Sequence, residues 1–479
     1  MHITHLINSW SSVPLIYGVA ETTPISLNES ERAPFVLTSV LLSLVAVYLV
    51  SKLGGELSKR FSLPPVLGEL VGGVVVGVSA LHFLVFPETG ATASDSLLMG
   101  LMQTLGNLDL ESINHIFQSQ SEVISVLAEL GVIVLLFEIG LESDLRELTK
   151  VGYQAAIVAV VGVAAPFALG TVGLVLFFHT PLIPAIFAGA ALTATSIGIT
   201  SKVLSELGHL KSTEGQIIVG AAVMDDVLGI IVLAVVASLA KTGEVDLLNV
   251  VYLILSATGF LLGAILLGKF FNKSFVAIAD KLQTRGALLI PAFTFALVMA
   301  VIANLIHLEA ILGAFAAGLV LDETDKRKEL DQQVMPIADI LVPIFFVTVG
   351  AKADLSVLNP TIAENREGLI IAAFLISVAI VGKVVTGWTV FGQPNINRLA
   401  IGVGMIPRGE VGLVFAGIGS ASGVLDKPLE AAIIVMVILT TFLAPPLLQV
   451  ALKSPSEEPS EIPEPEGVVS VPPLATVKD

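Results

Sequence analysis

Two aspartates stand side by side in the chain, Asp225 and Asp226, within the otherwise apolar run Gly220–Gly229. Neighbouring residues on a helix point about 100° apart, so the two carboxylates can flank one cavity while facing different partners. Adjacent carboxylates resist being ionised together, which makes the pair a proton acceptor for which a small cation competes. The bland alternative is a polar helix end, and the apolar sequence on both sides argues against it. Lys383 lies inside a second such run, Val378–Val385. An unpaired ammonium at that depth is costly, so a buried carboxylate is its expected partner, with Asp225 or Asp226 the candidates. The alternative is a lysine whose stem reaches back to the membrane surface.

Two further segments place polar chemistry in apolar surroundings. One is Ala191–Gly198, with Thr193, Thr195 and Ser196; the other is Gly402–Glu410, with Pro407, Arg408 and Glu410. Both read as helix interruptions, tolerated in a bilayer only where the freed backbone is buried or lines a cavity. Arg408 and Glu410 suit the exposed ends of two half-helices, since a helix C-terminus attracts cations and an N-terminus anions; contact with an ion or pH sensing is their alternative role. Glu69 and Glu138 lie toward the ends of apolar runs, where packing or gating is the simpler reading. The seven histidines avoid the centres of these runs, which argues against a histidine proton relay.

These residues need a membrane scaffold. The 479 residues are 54% hydrophobic and 14% charged, against about a quarter charged for a soluble domain. Thirteen apolar spans follow, at about 35–53, 64–86, 121–141, 153–178, 182–204, 213–239, 247–270, 284–306, 309–321, 336–351, 368–391, 398–421 and 428–452. The expected fold is all-α and polytopic. Fifteen Lys and Arg fall in one set of connecting segments and five in the other, which puts the N-terminus outside and the C-terminus in the cytoplasm. The interrupted spans are the fifth and twelfth. Their odd separation inverts one relative to the other, as in inverted repeats whose crossing broken helices hold a binding site.

The net charge of −17 is concentrated in a polar loop, from about Pro87 to Ser121, and in a proline- and glutamate-rich tail over 453–479, read as disordered. Nothing favours nucleic acid. The absence of cysteine excludes disulfides, thiolate zinc sites and thiol nucleophiles. Residues 1–34 lack the basic start of a secretory signal and read as an extracytoplasmic surface or interfacial segment. An intramembrane aspartyl protease needs aspartates on separate helices, so adjacency counts against it and the chain is not expected to be an enzyme. A channel, or a sensor that keeps the scaffold without flux, remains the rival.

As a set, Pro65–Glu69, Leu135–Glu142, Thr193–Ser196, Asp225–Asp226, Phe345–Gly350, Lys383 and Pro407–Glu410 resemble the monovalent cation/proton antiporter family 2, the paired-aspartate branch, over roughly 35–452. The acidic outer loop and extended N-terminus fit a cyanobacterial-type homologue. The resemblance implies exchange of a monovalent cation, sodium and also lithium, for protons by elevator-type alternating access, with electrogenic stoichiometry; potassium is the alternative ion. By the same likeness Asp226 binds the ion and exchanges protons, Asp225 pairs with Lys383 when no cation is bound, and Thr195, with Thr193, Ser196 and nearby backbone, completes the sodium site. A core over about 153–239 and 368–452 would move against a dimerisation domain over about 35–141 and 284–351, joined by a linker helix at about 247–270. The likeness also implies a homodimer, no cofactor beyond the transported ions, and a bacterial inner membrane or a thylakoid membrane. Potassium-efflux relatives often end in a nucleotide-binding domain; 453–479 has neither a GxGxxG fingerprint nor room for one.

Overall fold

A computed structural model of the protein describes residues 26–242, 247–279, 281–361, 363–392 and 396–453. Every regular element among them is helical. Long apolar helices are what a bilayer demands, because each backbone N–H and C=O must be satisfied within its own segment. In chain order the elements are α1 (Glu29–Arg60), α2 (Pro65–Val76), α3 (Leu97–Gly106), α4 (Leu110–Glu142), α5 (Leu145–Lys150), α6 (Gly152–Phe178), α7 (Leu182–Ala191), α8 (Ile197–Glu206), α9 (Thr213–Thr242), α10 (Leu247–Ala279), α11 (Leu289–Leu305), α12 (Ala310–Asp322), α13 (Arg327–Ala351), α14 (Ala363–Val384), α15 (Arg398–Gly404), α16 (Glu410–Ala421) and α17 (Lys427–Leu452). Seven of them are long and apolar enough to cross a membrane, and shorter apolar helices accompany them. With α7–α8 and α15–α16 each taken as one broken span, the helices other than α3 and α5 fall on the thirteen expected positions.

Several boundaries differ from the sequence expectation. α1 begins at Glu29, so the last residues of the expected N-terminal segment are helical. α2 ends at Val76 rather than near 86. The segment from Pro87 to Ser121 is not a polar loop. It contains α3 and the first turns of α4, which begins at Leu110 under an Asp109 cap that accepts from the Ser112 amide at 2.9 Å. Leu98, Met99, Met102, Ile113, Ile116 and Phe117 form a buried apolar cluster there. At ten residues α3 is apolar but too short to cross a bilayer, so it does not read as a span. Residues 1–25 and 454–479, the bulk of the expected N-terminal segment and acidic tail, lie outside the described residues.

The helices pack as two groups. In the first, α4 lies against α12, α13 and α1, while α2 packs on α1 and α13 and α11 on α12. Glycines permit these close contacts. A β-carbon on Gly140 of α4 would stand 2.4 Å from the Phe315 carbonyl oxygen, and one on Gly318 of α12 at 2.4 Å from that of Phe137. In the second group α6 packs on α9, α7 and α14, α17 on α14, α15 and α16, and α7 on α16. α8 reaches across to α4 and α2, and α10 touches both α12 and α9. The membrane faces are named here by their residues: the Glu88 face, where α4 begins, and the Glu142 face, where it ends.

Candidate ion site at the crossing of two broken helices

The second interruption has a local cause. Pro407 lacks an N–H and disfavours helical geometry at Ile406, so α15 cannot run on into α16. In the first, the Thr193 hydroxyl donates to Ala190 O at 2.7 Å, offering the chain an alternative to the helical ladder after α7. The two gaps cross and satisfy each other. The Ser196 amide donates to Pro407 O at 2.8 Å. The Thr195 hydroxyl donates to Met405 O at 3.1 Å, and that of Thr200 to Gly404 O at 3.0 Å. Arg408 is fully buried, and its Nη1 donates to Ala194 O at 3.1 Å and Met405 O at 3.3 Å, one carbonyl from each gap. Its own carbonyl accepts from the Thr441 hydroxyl at 2.6 Å. A cation therefore sits where the C-terminal ends of α7 and α15 converge, as their dipoles favour.

Asp225 and Asp226 lie near the middle of α9, which packs against α7, α8, α15 and α16. Lys383 Nζ donates to Asp225 Oδ2 at 3.0 Å, with both side chains wholly enclosed. The pair thus divides as its helical geometry suggests. Asp225 faces Lys383, and Asp226 lines a narrow cavity together with Thr195, Ser196 and Gly409. The N-terminal residues of both second half-helices, Ile197–Gly198 of α8 and Val411 of α16, border the same cavity, an arrangement that suits the carboxylate of Asp226. The far wall belongs to the first helix group and comprises Val132, Ile311, Phe345 and Glu309.

A wider vestibule adjoins this cavity and shares Val132, Phe345 and Gly409 with it. It reaches the Glu88 face, where Glu88 pairs with Lys352, and carries Ser125, Glu129 and Thr348 along its wall. On the opposite side α8 contacts the first group, where Ser205 Oγ donates to Glu142 Oε2 at 3.1 Å and the Val66 amide to Glu206 Oε2 at 3.3 Å, and an apolar cavity lies between α9 and α12.

The profile of the sodium/hydrogen exchanger transmembrane family matches residues 41–453. The chain belongs to the sodium/hydrogen exchanger family. It is 62% identical over 451 residues to the high-affinity Na(+)/H(+) antiporter NhaS3 of Synechocystis sp., a match covering 94% of this chain and 96% of that protein. It is 32% identical over 408 residues to the Na(+)/H(+)-K(+) antiporter GerN of Bacillus cereus, covering 84% and 94%. Its fold matches that of the sodium proton antiporter MjNhaP1 from Methanocaldococcus jannaschii with a TM-score of 0.58 at 17% identity, over 88% of this chain and 99% of the other. The protein is therefore an integral, multi-pass member of an exchanger family, with a cyanobacterial homologue among its relatives.

Within this exchanger scaffold the structure brings together Asp225, Asp226, Thr195, Ser196, Lys383 and Arg408. Thr193 is buried but is not among the side chains lining the cavity. Glu410 opens α16, and its side chain lies outside the described residues. Glu69 accepts from Ser51 at 3.1 Å and Glu138 lies on α4, and neither borders the Asp226 cavity. Thr200, Thr441 and Glu309 were not singled out from sequence. The two threonines carry no signal among many in apolar spans. Glu309 does, because it heads an apolar run too short to cross the bilayer, which places its start within the membrane.

Proposed function

We propose that this protein is a sodium/proton antiporter in which Asp226 carries either a sodium ion or a proton. The observation that carries the reading is the division of labour between neighbouring aspartates, one held by a buried lysine and the other facing a cavity at the crossing of two broken helices. The choice of sodium leans on the names of the relatives.

In the proton-loaded form Asp226 is neutral and Lys383 is charged against Asp225. A sodium ion reaching the cavity replaces the proton on Asp226 and draws on Asp225. Deprived of its partner in a dry interior, the Lys383 ammonium gives up its proton. Two protons then move for one sodium ion, and exchange is electrogenic. Hydroxyl and carbonyl oxygens of the Thr195–Ser196 turn complete the sodium shell.

Alternating access follows if the second helix group, about 153–239 and 368–452, is the moving core. The first, about 35–141 and 284–351, is then the stationary domain through which two copies dimerise, with α10 as the linker. The boundary between the groups supports this division, since it runs through the ion cavity, with Asp226 and Glu309 on opposite walls. The basic-residue bias supports a Glu88 face that points outward and a bacterial inner membrane, or a thylakoid membrane, as the location.

The test is proton-coupled flux in liposomes with a pH-sensitive dye, for wild type and Asp226→Asn. Added sodium dequenches the dye with wild type and not with the variant. Lithium, potassium and sodium compared side by side establish the selectivity. A wild type silent to all three ions overturns the antiporter reading, and normal flux through Asp226→Asn overturns the site. Lys383→Ala becomes electroneutral or inactive; electrogenic exchange persisting in it overturns the two-proton scheme.

A further inference from the structure

We infer that Glu309, on the helix group opposite Asp226, is a second acidic residue of the cation pathway, one that raises sodium affinity while the site faces it. The inference rests on the antiporter reading above. Glu309 sits at the N-cap of α12 and lines the same narrow cavity as Asp226, Thr195, Ser196 and Gly409. Its depth follows from helix lengths. α12 has 13 residues and ends at Asp322, whose carboxylate meets Arg327 Nη1 at 2.8 Å. Thirteen residues rise about 20 Å, short of the roughly 30 Å hydrocarbon core. α11, which leads into the turn before Glu309, has 17 residues and rises about 26 Å. Glu309 is therefore an ionisable group inside the membrane, where such groups are costly and are kept for partners or ions.

Val132, Ile311 and Phe345 share its wall of the cavity and are apolar, while Asp226, Thr195 and Ser196 stand on the other. A carboxylate in such surroundings acts over a longer range than one in water. Because Glu309 and Asp226 belong to different helix groups, relative movement of the groups changes their separation. Glu309 then favours the cation at Asp226 in one access state more than in the other, which gives the two faces of the exchanger different sodium affinities.

The test uses the full chain, in proteoliposomes and in detergent. Glu309→Gln removes the charge and keeps the shape. It raises the sodium KM at the vestibule face about tenfold, the factor a unit charge carries across a partly screened gap, while kcat falls much less. Glu309→Asp recovers most of the lost affinity. The midpoint of sodium-induced thermal stabilisation, which needs no turnover, moves to higher sodium by a similar factor in Glu309→Gln. A sodium KM and midpoint within twofold of wild type overturn the inference, as does a loss confined to kcat. If Glu309→Gln does not fold, Glu309→Asp decides, with an unaltered KM counting against the role. Asp226→Asn separates the two levels. Sodium stabilisation that survives in it defeats the ion site itself, whereas its loss there, with Glu309→Gln behaving as wild type, defeats only the role of Glu309.

Discussion

Gly162 of α6 lies directly against the buried ammonium of Lys383: a β-carbon built on Gly162 would stand 3.3 Å from Lys383 Nζ and 3.5 Å from Thr386 Cγ2. The lysine occupies its place beside Asp225 because the facing helix presents no side chain. Gly162→Ala therefore requires the ammonium to give by a few tenths of an ångström, and Gly162→Val requires it to leave its 3.0 Å contact. Exchange in proteoliposomes should be lowered in the alanine variant and lost in the valine variant. Full activity of Gly162→Val would show that the pair does not depend on this packing.

The Lys383–Asp225 pair also makes a stability prediction. Removing one member of a fully buried ion pair strands the other and costs about 3–5 kcal/mol, whereas replacing both with neutral groups is often close to neutral. Lys383→Met and Asp225→Asn should each lower the thermal midpoint in detergent well below that of wild type. The double variant should recover most of the loss. Additive losses in the double variant would mean that the two groups are stabilised independently.

The candidate ion site was legible in sequence to the extent that membrane burial makes charge expensive. Asp225, Asp226, Lys383 and Arg408 stand out because apolar runs surround them, and Pro407 marks its break by what its ring forbids. Which aspartate faces the lysine was not legible from spacing alone, since a helical offset of about 100° leaves both assignments open. Thr193 and Thr195 look equivalent in sequence, yet one bonds back to its own helix and the other crosses to Met405. That difference arises only when α15 is packed alongside. Span positions followed hydropathy, and the misread segment was the one from Pro87 to Ser121, where the ten-residue helix Leu97–Gly106 is apolar but too short to cross a bilayer and is flanked by acidic turns, so the buried cluster of Leu98, Met99 and Ile113 did not read as a span.

The vestibule predicts one-sided access to the site. Ser125 and Thr348 line it on the Glu88 face, whereas Ser205 is held against Glu142 on the opposite face. The chain contains no cysteine, so single cysteines report cleanly. In sodium-free vesicles a membrane-impermeant maleimide should label Ser125→Cys rapidly from the N-terminal side and Ser205→Cys slowly from the other. On the proposed alternating-access scheme, labelling of Ser205→Cys should accelerate under a gradient that drives turnover. Equal labelling of both positions at rest would argue that the α8 contacts do not seal the site.

The cap of α4 gives a pH dependence that belongs to the outer segment and not to the ion site. Asp109 accepts from the Ser112 side chain and amide, and these hydrogen bonds hold its carboxyl below the usual carboxylate range. A depressed folded-state value means that the cap is fully present above the unfolded-state value and is lost as pH falls through the folded one. The window thus lies at and below the ordinary range of an aspartate, more acidic than the range in which histidine titrates. Ser112 ties the cap inward, since its Oγ also accepts from the Leu27 amide at 2.9 Å. Protection over 110–117, the exchange rate set against that of an unstructured amide at the same pH, should therefore be high at neutral pH and fall in that acidic window. Asp109→Ala should show the lowered protection at neutral pH, with sodium-dependent flux close to wild type because the cap lies far from the α9 aspartates along α4. Protection that is unchanged in Asp109→Ala would mean that the buried cluster around Met99 and Ile116 holds the start of α4 without its cap.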